Sequence, residues 1–236
     1  MKYDAFARTL ADERLAAPTR RGLLKTLGAL PLLAAGVSSL LSAPASASTP
    51  QAKELTDQDR KDLKRAEAYL NGITTMRAKF QQYSNTAGLA FGKIYLRRPG
   101  RLRVEYDPPL KVIIVADGLV VSYYDMELDQ ISQVPIGSSP LWFLLRETVS
   151  FSNGVTVSGI DRQPGALHIS AFESGSPEAG EIDLIFADNP LELRQWTVLD
   201  PQGNQIRVGL QDVTLGGALA NSLFATPSKG LPAQNR

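Results

Sequence analysis

The sequence predicts a mainly β protein built on one large antiparallel sheet with few helices. Apolar and polar residues alternate strictly over residues 93–98 and 101–106, a pattern typical of antiparallel strands with one buried face. Turn sequences separate the apolar runs at Asp117-Gly118 and at residues 200–204, and Asp-Gly favours a type I′ hairpin turn, in which both central residues have positive φ. No long helix alternates with the strands, which argues against a parallel α/β sheet.

The remaining apolar runs each have the length of one strand. Residues 112–115 are apolar at every position, so this strand is expected to be covered on both faces. A sheet with this many strands curls, and its concave apolar face must then be filled. Further strands are predicted at residues 111–116, 119–124, 130–134, 155–160, 166–172, 181–187, 192–199 and 205–213.

Two helices are available to fill the concave face. The first is amphipathic, has Asp57 or Asp59 as its predicted N-cap and is interrupted near Asn71-Gly72. The second is a short apolar helix at residues 140–146. The apolar positions of the first helix are Leu63, Ala66, Leu70 and Ile73, and Met76 and Phe80 continue the apolar pattern.

The N-terminal residues 1–47 are interpreted as a cleavable export signal. Arg20 and Arg21 precede an apolar stretch, residues 27–41, which is too short for a transmembrane helix. The paired arginines resemble a twin-arginine signal, and the alternatives are an ordinary export signal or a retained anchor. Ala45-Ser46-Ala47 predicts cleavage after Ala47. Residues 48–56 are expected to be flexible and residues 230–236 to be a disordered tail.

Charge and composition exclude several classes of function. The net charge is +1, and removal of the export signal leaves 19 basic and 21 acidic residues, a net charge of −2, which argues against nucleic-acid binding. The 236 residues include no cysteine and one histidine, which excludes thiolate and His-rich metal sites and cysteine nucleophiles. A Ser-His-Asp triad would have to use His168, but this residue lies in a strand pattern and the sequence has no G-x-S-x-G motif for the serine. Asp125, Glu127 and Asp129 lack the glycine and distal glutamate of a calcium loop. We therefore expect no enzyme, no cofactor and no metal.

Four arginines cluster around Pro99. Arg97, Arg101 and Arg103 fit a solvated strand edge, whereas Arg98 shares the parity of the apolar positions on either side. An arginine on an apolar face is costly unless its donors are satisfied. Helix-end carbonyls could satisfy them, so Arg98 is either a latch between sheet and helix or an ordinary surface residue.

Taken in order, several segments resemble the LolA-like family of periplasmic outer-membrane lipoprotein carriers. The resemblance covers most of residues 57–227, and no single segment is diagnostic. The segments are residues 76–82 (MRAKFQQ) at the end of the first helix, residues 92–106 with Arg98-Pro99, Pro108-Pro109, residues 112–118 (VIIVADG), residues 123–125 (YYD), residues 139–141 (SPL) with Leu144-Leu145, Trp196, Asp200 with Gly203, and residues 224–227 (FATP).

The resemblance implies an open half-barrel sheet with a helical lid over its apolar concave face, formed by a carrier domain at residues 57–229. Such carriers take lipoproteins from an inner-membrane ABC-type transporter, hold the acyl chains in the cavity and deliver them to the outer membrane, to an acceptor where one is present. A periplasmic monomer is implied, with Arg98 as the lid latch. Leu102 stands where the family often has an aromatic residue, so the cavity differs in shape. The implied lid and cavity residues are Leu63, Leu70, Ile73, Met76, Phe80, Ile94, Leu96, Leu102, Val104, Tyr106, Leu141 and Leu144.

Other functions remain as alternatives. A binding protein for another lipid or a glycolipid needs the same apolar cavity, and the sequence does not separate it from a lipoprotein carrier. A sensor of mislocalised lipoproteins usually has a second domain, and a lipid hydrolase needs a nucleophile motif. The family's outer-membrane receptor is itself a lipoprotein and needs an N-terminal cysteine, which this sequence lacks.

Overall fold

The computed structural model describes residues 50–138, 142–200 and 202–226. The predicted export signal with Arg20, Arg21 and Ala47, the cavity residue Leu141 and the tail at 230–236 lie outside the described residues. The helices are α1 (Asp57–Gly72) and α2 (Trp142–Leu145). The strands are β1 (Thr75–Ser84), β2 (Gly88–Arg97), β3 (Arg101–Tyr106), β4 (Val112–Asp117), β5 (Val120–Asp125), β6 (Gln130–Pro135), β7 (Val155–Gln163), β8 (Ala166–Glu173), β9 (Glu181–Ala187), β10 (Glu192–Leu199) and β11 (Gln205–Leu215).

All eleven strands form one antiparallel sheet, in the order β6-β5-β4-β3-β2-β1-β11-β10-β9-β8-β7. The first and last strands pair in the middle, and the edge strands β6 and β7 do not pair with each other. The sheet is therefore open, and residues 136–154, which include α2, connect its two edges. The predicted mainly β fold with one large antiparallel sheet and few helices is confirmed. None of the helices in the described ranges is long and apolar enough to cross a membrane.

The assignment of residues 76–82 to the end of the first helix is wrong. Helix α1 ends at Gly72, and residues 75–84 form strand β1. Met76, Ala78 and Phe80 are buried at alternate positions of this strand. The spacing of four between Met76 and Phe80 fits a helix and a strand equally, and the small Ala78 between them does not mark the period of two.

The β4–β5 turn also differs from its prediction. Gly118 and Leu119 are its central residues, and of these only Gly118 has positive φ, at +113°, so this is not a type I′ turn. Asp117 instead ends β4, and its Oδ1 accepts hydrogen bonds from the backbone N–H groups of Leu119 (2.9 Å) and Val120 (3.0 Å). The aspartate therefore acts as a side-chain cap of the turn.

Inward-facing residues of most strands and both helices form one buried apolar core. Phe80 lies across Gly92, where an added Cβ would be 2.0 Å from the carbonyl oxygen of Glu105. The Phe80 ring also meets Tyr106 edge-on, with 5.3 Å between ring centroids. The glycine is required here because it lets the aromatic ring pack directly on the sheet backbone.

The C-terminal segment 216–226 covers the outer face of β3 and β4, where a 3-10 turn at Asn221–Phe224 packs. Leu219 and Phe224 are buried there. The arginines predicted to form a solvated edge hold this segment: Arg97 Nη1 donates to the Leu219 carbonyl (2.9 Å) and Arg103 Nη1 to the Leu223 carbonyl (3.3 Å). The solvated-edge interpretation is therefore wrong, and the predicted cover on both faces of residues 112–115 is confirmed, since all four are buried.

The first half of α1 is fixed to the edge strand β7. The prediction of Asp57 or Asp59 as the N-cap is wrong, because the N-cap is Thr56, whose hydroxyl accepts from the Asp59 N–H, and Asp59 at N3 completes a capping box. Arg162 of β7 donates from Nη2 to Asp59 (2.7 Å) and from Nε to Asp62 (2.8 Å), and both carboxylates are buried. The backbone hydrogen bond from Thr56, followed by that from Arg162, lowers the pKa of Asp59 to about 2.

We expect Asp59→Asn to lower the free energy of unfolding by about 2 kcal/mol at neutral pH, because a charged hydrogen-bond acceptor is lost. The pKa of Asp59 is below its ordinary 3.8 in the folded state, so its stabilisation is complete above pH 3.8 and is lost as the pH falls towards 2. Urea unfolding across this range should show the difference between the two proteins shrinking with acidity. Asp57→Asn, at a side chain that is 95% exposed, is the control and should change little. A difference independent of pH would contradict this account.

Candidate functional site

An apolar cavity lies between the inner face of the sheet and the two helices. Its volume is about 30 Å³, room for only one or two water molecules. Eight predicted residues line it, namely Leu70, Ile73, Met76, Ile94, Leu96, Arg98, Leu102 and Leu144.

Three lining residues were not predicted: Leu145, Leu193 and Trp196. Leu193 and Trp196 are three residues apart in β10, and a period of two would place them on opposite faces. A register shift between Leu193 and Gln195 turns both inward. A bulge of this kind leaves no clear signal in the alternation pattern, which is why sequence reasoning missed them.

The other predicted cavity residues do not reach this cavity. Leu63, Phe80 and Val104 are buried elsewhere in the same core, and Tyr106 packs against it half-buried. The Tyr106 hydroxyl donates to Gln82 Oε1 (2.8 Å), and burial raises the pKa of Tyr106.

A second cavity of about 50 Å³ lies on the inner face of β7–β10, beneath Trp142 and Phe143 of α2. Its sheet-side apolar wall is formed by Val155, Ala171, Phe172, Ile182 and Val198. Helix α2 therefore contributes residues to both apolar cavities, so movement of this one short helix would open both.

Helix α1 and the residues after α2 are joined into one lid. Asn71 donates from Nδ2 to the Val149 carbonyl (2.9 Å) and accepts from the Val149 N–H at Oδ1 (2.8 Å). Glu67 accepts from the Phe151 N–H (2.8 Å). We use "lid" for α1, α2 and residues 146–151 together.

Arg98 connects this lid to the sheet. Its Nε donates to the Leu144 carbonyl (2.9 Å), and the N–H of Gly100 donates to the Leu145 carbonyl (2.8 Å). Arg98 Nη1 is buried and has no hydrogen-bond partner among the described residues. Burial lowers the pKa of Arg98 to about 10. The guanidinium is thus desolvated and only partly satisfied, which is an energetically costly arrangement.

Within the part of the chain that the structure describes, the neighbours of the single histidine are not arranged as a nucleophilic triad. His168 Nδ1 is 3.9 Å from Asp183 Oδ2, but the Ser170 hydroxyl donates to Asp183 itself (3.1 Å). In a triad the serine would bond to the histidine. Asp125 accepts from the N–H groups of Glu127 and Leu128 and so caps a turn. Within residues 50–138, 142–200 and 202–226, no three acidic or histidine side chains gather as a metal site would require.

Comparison with known proteins identifies the class of this fold, an open antiparallel sheet with an apolar cavity beneath two helices. The family model described as "Outer membrane lipoprotein carrier protein LolA" matches residues 71–227. The chain therefore belongs to the LolA family of outer-membrane lipoprotein carrier proteins.

Individual proteins are also similar to this chain. An outer-membrane lipoprotein carrier protein of Chromobacterium violaceum is 28% identical over 213 residues, covering 85% of this chain and 94% of the relative. One from Legionella pneumophila strain Lens is 30% identical and covers 69% of this chain and 84% of the relative. Among solved structures, a LolA superfamily protein of Nitrosomonas europaea matches 73% of this chain and 99% of its own, with a TM-score of 0.45 and 8% identity.

We expect Asn71→Ala to loosen the lid locally. Both hydrogen bonds between Asn71 and the Val149 backbone would be lost, at about 1 kcal/mol each or less because Asn71 is exposed. Hydrogen exchange should accelerate at the amides of Val149 and Phe151.

Asn85→Ala is a matched control. The exposed Asn85 makes the same kind of paired contact, with the Gly203 carbonyl (3.1 Å) and the Gln205 N–H (2.9 Å), away from the lid. It should cost similar stability and leave the Val149 and Phe151 amides protected. Equal acceleration at these amides in both variants would contradict the lid assignment.

Proposed function

We propose that this protein carries lipoproteins through the periplasm by holding their acyl chains in the apolar cavity beneath the lid. It would receive them from an inner-membrane ABC-type transporter and deliver them to the outer membrane, to an acceptor if one is present. The observation that carries the proposal is an apolar cavity in which Arg98, at the contact between sheet and lid, is the only charged residue among the described lining residues.

The size of the cavity supports a mechanism with two states. About 30 Å³ cannot hold an acyl chain of more than ten methylenes, so loading requires the lid to move. Each methylene that then leaves water stabilises the loaded state by about 0.8 kcal/mol, and this gain offsets the free energy lost with the lid contacts. Carrying a lipoprotein requires no catalytic group. The protein can release its cargo only if the closed, empty state is close in free energy to the loaded state.

Arg98 is proposed as the latch that sets this competition. It gives the closed state a hydrogen bond at 2.9 Å, and its Nη1 has no partner among the described residues. A partner for Nη1 would stabilise the closed state by about 1.5–3 kcal/mol, and loss of the bond to Leu144 would favour the loaded state by a similar amount. The partial satisfaction keeps closed and loaded states close in free energy.

The proposal includes export by the twin-arginine signal at Arg20 and Arg21 with cleavage after Ala47, and a monomeric mature protein. Twin-arginine export moves folded proteins, and the described domain has no disulfide to form after export. Membership of a family of lipoprotein carriers supports the periplasmic location.

We expect Arg98→Leu to accept lipoprotein but to fail in passing it on. The substitution removes the donor to Leu144 and adds apolar surface to the cavity, so the loaded state gains about 2 kcal/mol relative to the closed state. Transfer of a labelled lipoprotein from the purified protein to outer-membrane vesicles measures this. Arg194→Leu, at a half-exposed arginine of β10, should transfer normally. Normal transfer by Arg98→Leu would disprove the latch.

The cargo itself can be identified by mass spectrometry of the protein purified from the periplasm. A bound acylated protein is expected. Free glycolipid or another lipid with no protein would replace this proposal by the alternative of a lipid-binding protein that uses the same cavity.

A further inference from the structure

We propose that the turns at residues 97–101 and 117–119 form a docking site for an anionic phospholipid surface. Three arginines there would bind lipid phosphates, and Leu119 would insert among the acyl chains. The inference rests on the proposed carrier function, which requires the protein to meet a membrane.

The first observation is a basic cavity outside the lid. It has a volume of about 440 Å³ and is lined by Arg97, Arg98 and Arg101 together with Asp117 and Asn221. The β2–β3 and β4–β5 turns meet closely at its wall, since a Cβ on Gly100 would be 2.8 Å from Gly118 Cα. Three arginine residues therefore line one open space, and of these Arg98 also reaches beneath the lid, where its Nε is bonded and its Nη1 is buried.

The second observation is that these arginines lack acidic partners. None of the three forms a salt bridge with a described residue, whereas Arg65, Arg103, Arg162 and Arg194 each do. Arg97 Nη2 (2.7 Å) and Arg101 Nη1 (3.4 Å) both donate to the same neutral oxygen, Asn221 Oδ1. One amide oxygen cannot balance two guanidinium charges, but a phosphate could.

Asp117 offsets only one of the three arginine charges. Its Oδ1 accepts from two backbone N–H groups of its own turn, and its Oδ2 accepts from the Thr226 hydroxyl (3.4 Å). These bonds hold the pKa of Asp117 below its ordinary value, so the carboxylate is an anion. With three arginines and one aspartate among its lining residues, the cavity retains an excess of positive charge.

The third observation distinguishes a membrane from a soluble anion. Leu119, at the tip of the β4–β5 turn beside this cavity, is 80% exposed, the largest exposed fraction among the large apolar side chains described. Cationic residues beside a protruding apolar side chain are the combination that binds anionic bilayers, since the charges attract the headgroups and the apolar group enters the acyl region.

Binding to vesicles tests the proposal. The probes are vesicles of phosphatidylcholine alone and with about 30 mol% phosphatidylglycerol, and we expect salt-sensitive binding to the second only. Arg101→Gln should weaken binding about fivefold, the effect of one cation at an anionic surface. Leu119→Glu should weaken it at least as much.

Matched controls separate the site from general charge and hydrophobicity. Lys93→Gln removes one exposed cation from the same strand as Arg97, and Leu128→Glu alters a half-exposed leucine at the opposite end of β5. Neither should change vesicle binding. Equal loss in controls and test variants, or no binding by the unmodified protein, would overturn the proposal. Saturable binding of inorganic phosphate without vesicle binding would also overturn it in favour of a soluble anion.

Acyl-chain loading, measured separately with a lipoprotein, keeps this test independent of the proposed function. A protein that loads and delivers lipoprotein but never binds anionic vesicles is a carrier without this docking site, and its delivery would then be directed by an acidic protein surface. A protein that binds the vesicles through Arg101 and Leu119 but takes up no lipoprotein has the docking site and a different cargo.

Discussion

The constraint on which the proposed carrier mechanism depends is the attachment of α2 to the β2–β3 turn, where Arg98 Nε makes a charge-assisted hydrogen bond to the Leu144 carbonyl. A helix of four residues has no stability of its own, so its place is set by what binds its ends and buries its side chains. The Gly100 N–H satisfies the next carbonyl, and Phe143, Leu144 and Leu145 are buried. The β2–β3 turn thus places α2 over the cavity.

The two ends of the lid are attached differently. At the start of α1, two buried carboxylates share Arg162 of the edge strand β7, and breaking such a pair leaves buried charge uncompensated. Near α2, the attachments are hydrogen bonds, from Arg98 and through Asn71, whose loss costs less. Because the attachments near α2 are the weaker ones, we expect the lid to move at α2 and to pivot about Arg162.

The sequence was sufficient for the parts of this structure that repeat with a fixed period. Helix α1 follows helical spacing, and β2 and β3 follow strict alternation. Arg98 was recognised because it is a charged residue at an apolar position of that alternation. Strand β1 was misread because Met76 and Phe80 satisfy both periods. Leu193 and Trp196 were missed because a bulge breaks the period. The roles of Arg97, Arg101 and Arg103 depend on the C-terminal segment, more than a hundred residues away, and no local pattern records that contact.

The turn at residues 97–101 links the two proposals. Arg98 lines the apolar cavity beneath the lid and also the basic cavity outside it, so one residue contributes to the walls of both. A lipid phosphate in the basic cavity would offer Arg98 a stronger acceptor than the Leu144 carbonyl, and the two acceptors would then compete for one group. Contact with a membrane would in that way shift the lid from closed to open. The size of the shift would equal the difference in binding free energy of the phosphate between the open and the closed state. Membrane binding and lid opening would be coupled directly through Arg98, because this residue belongs to both the latch and the docking site.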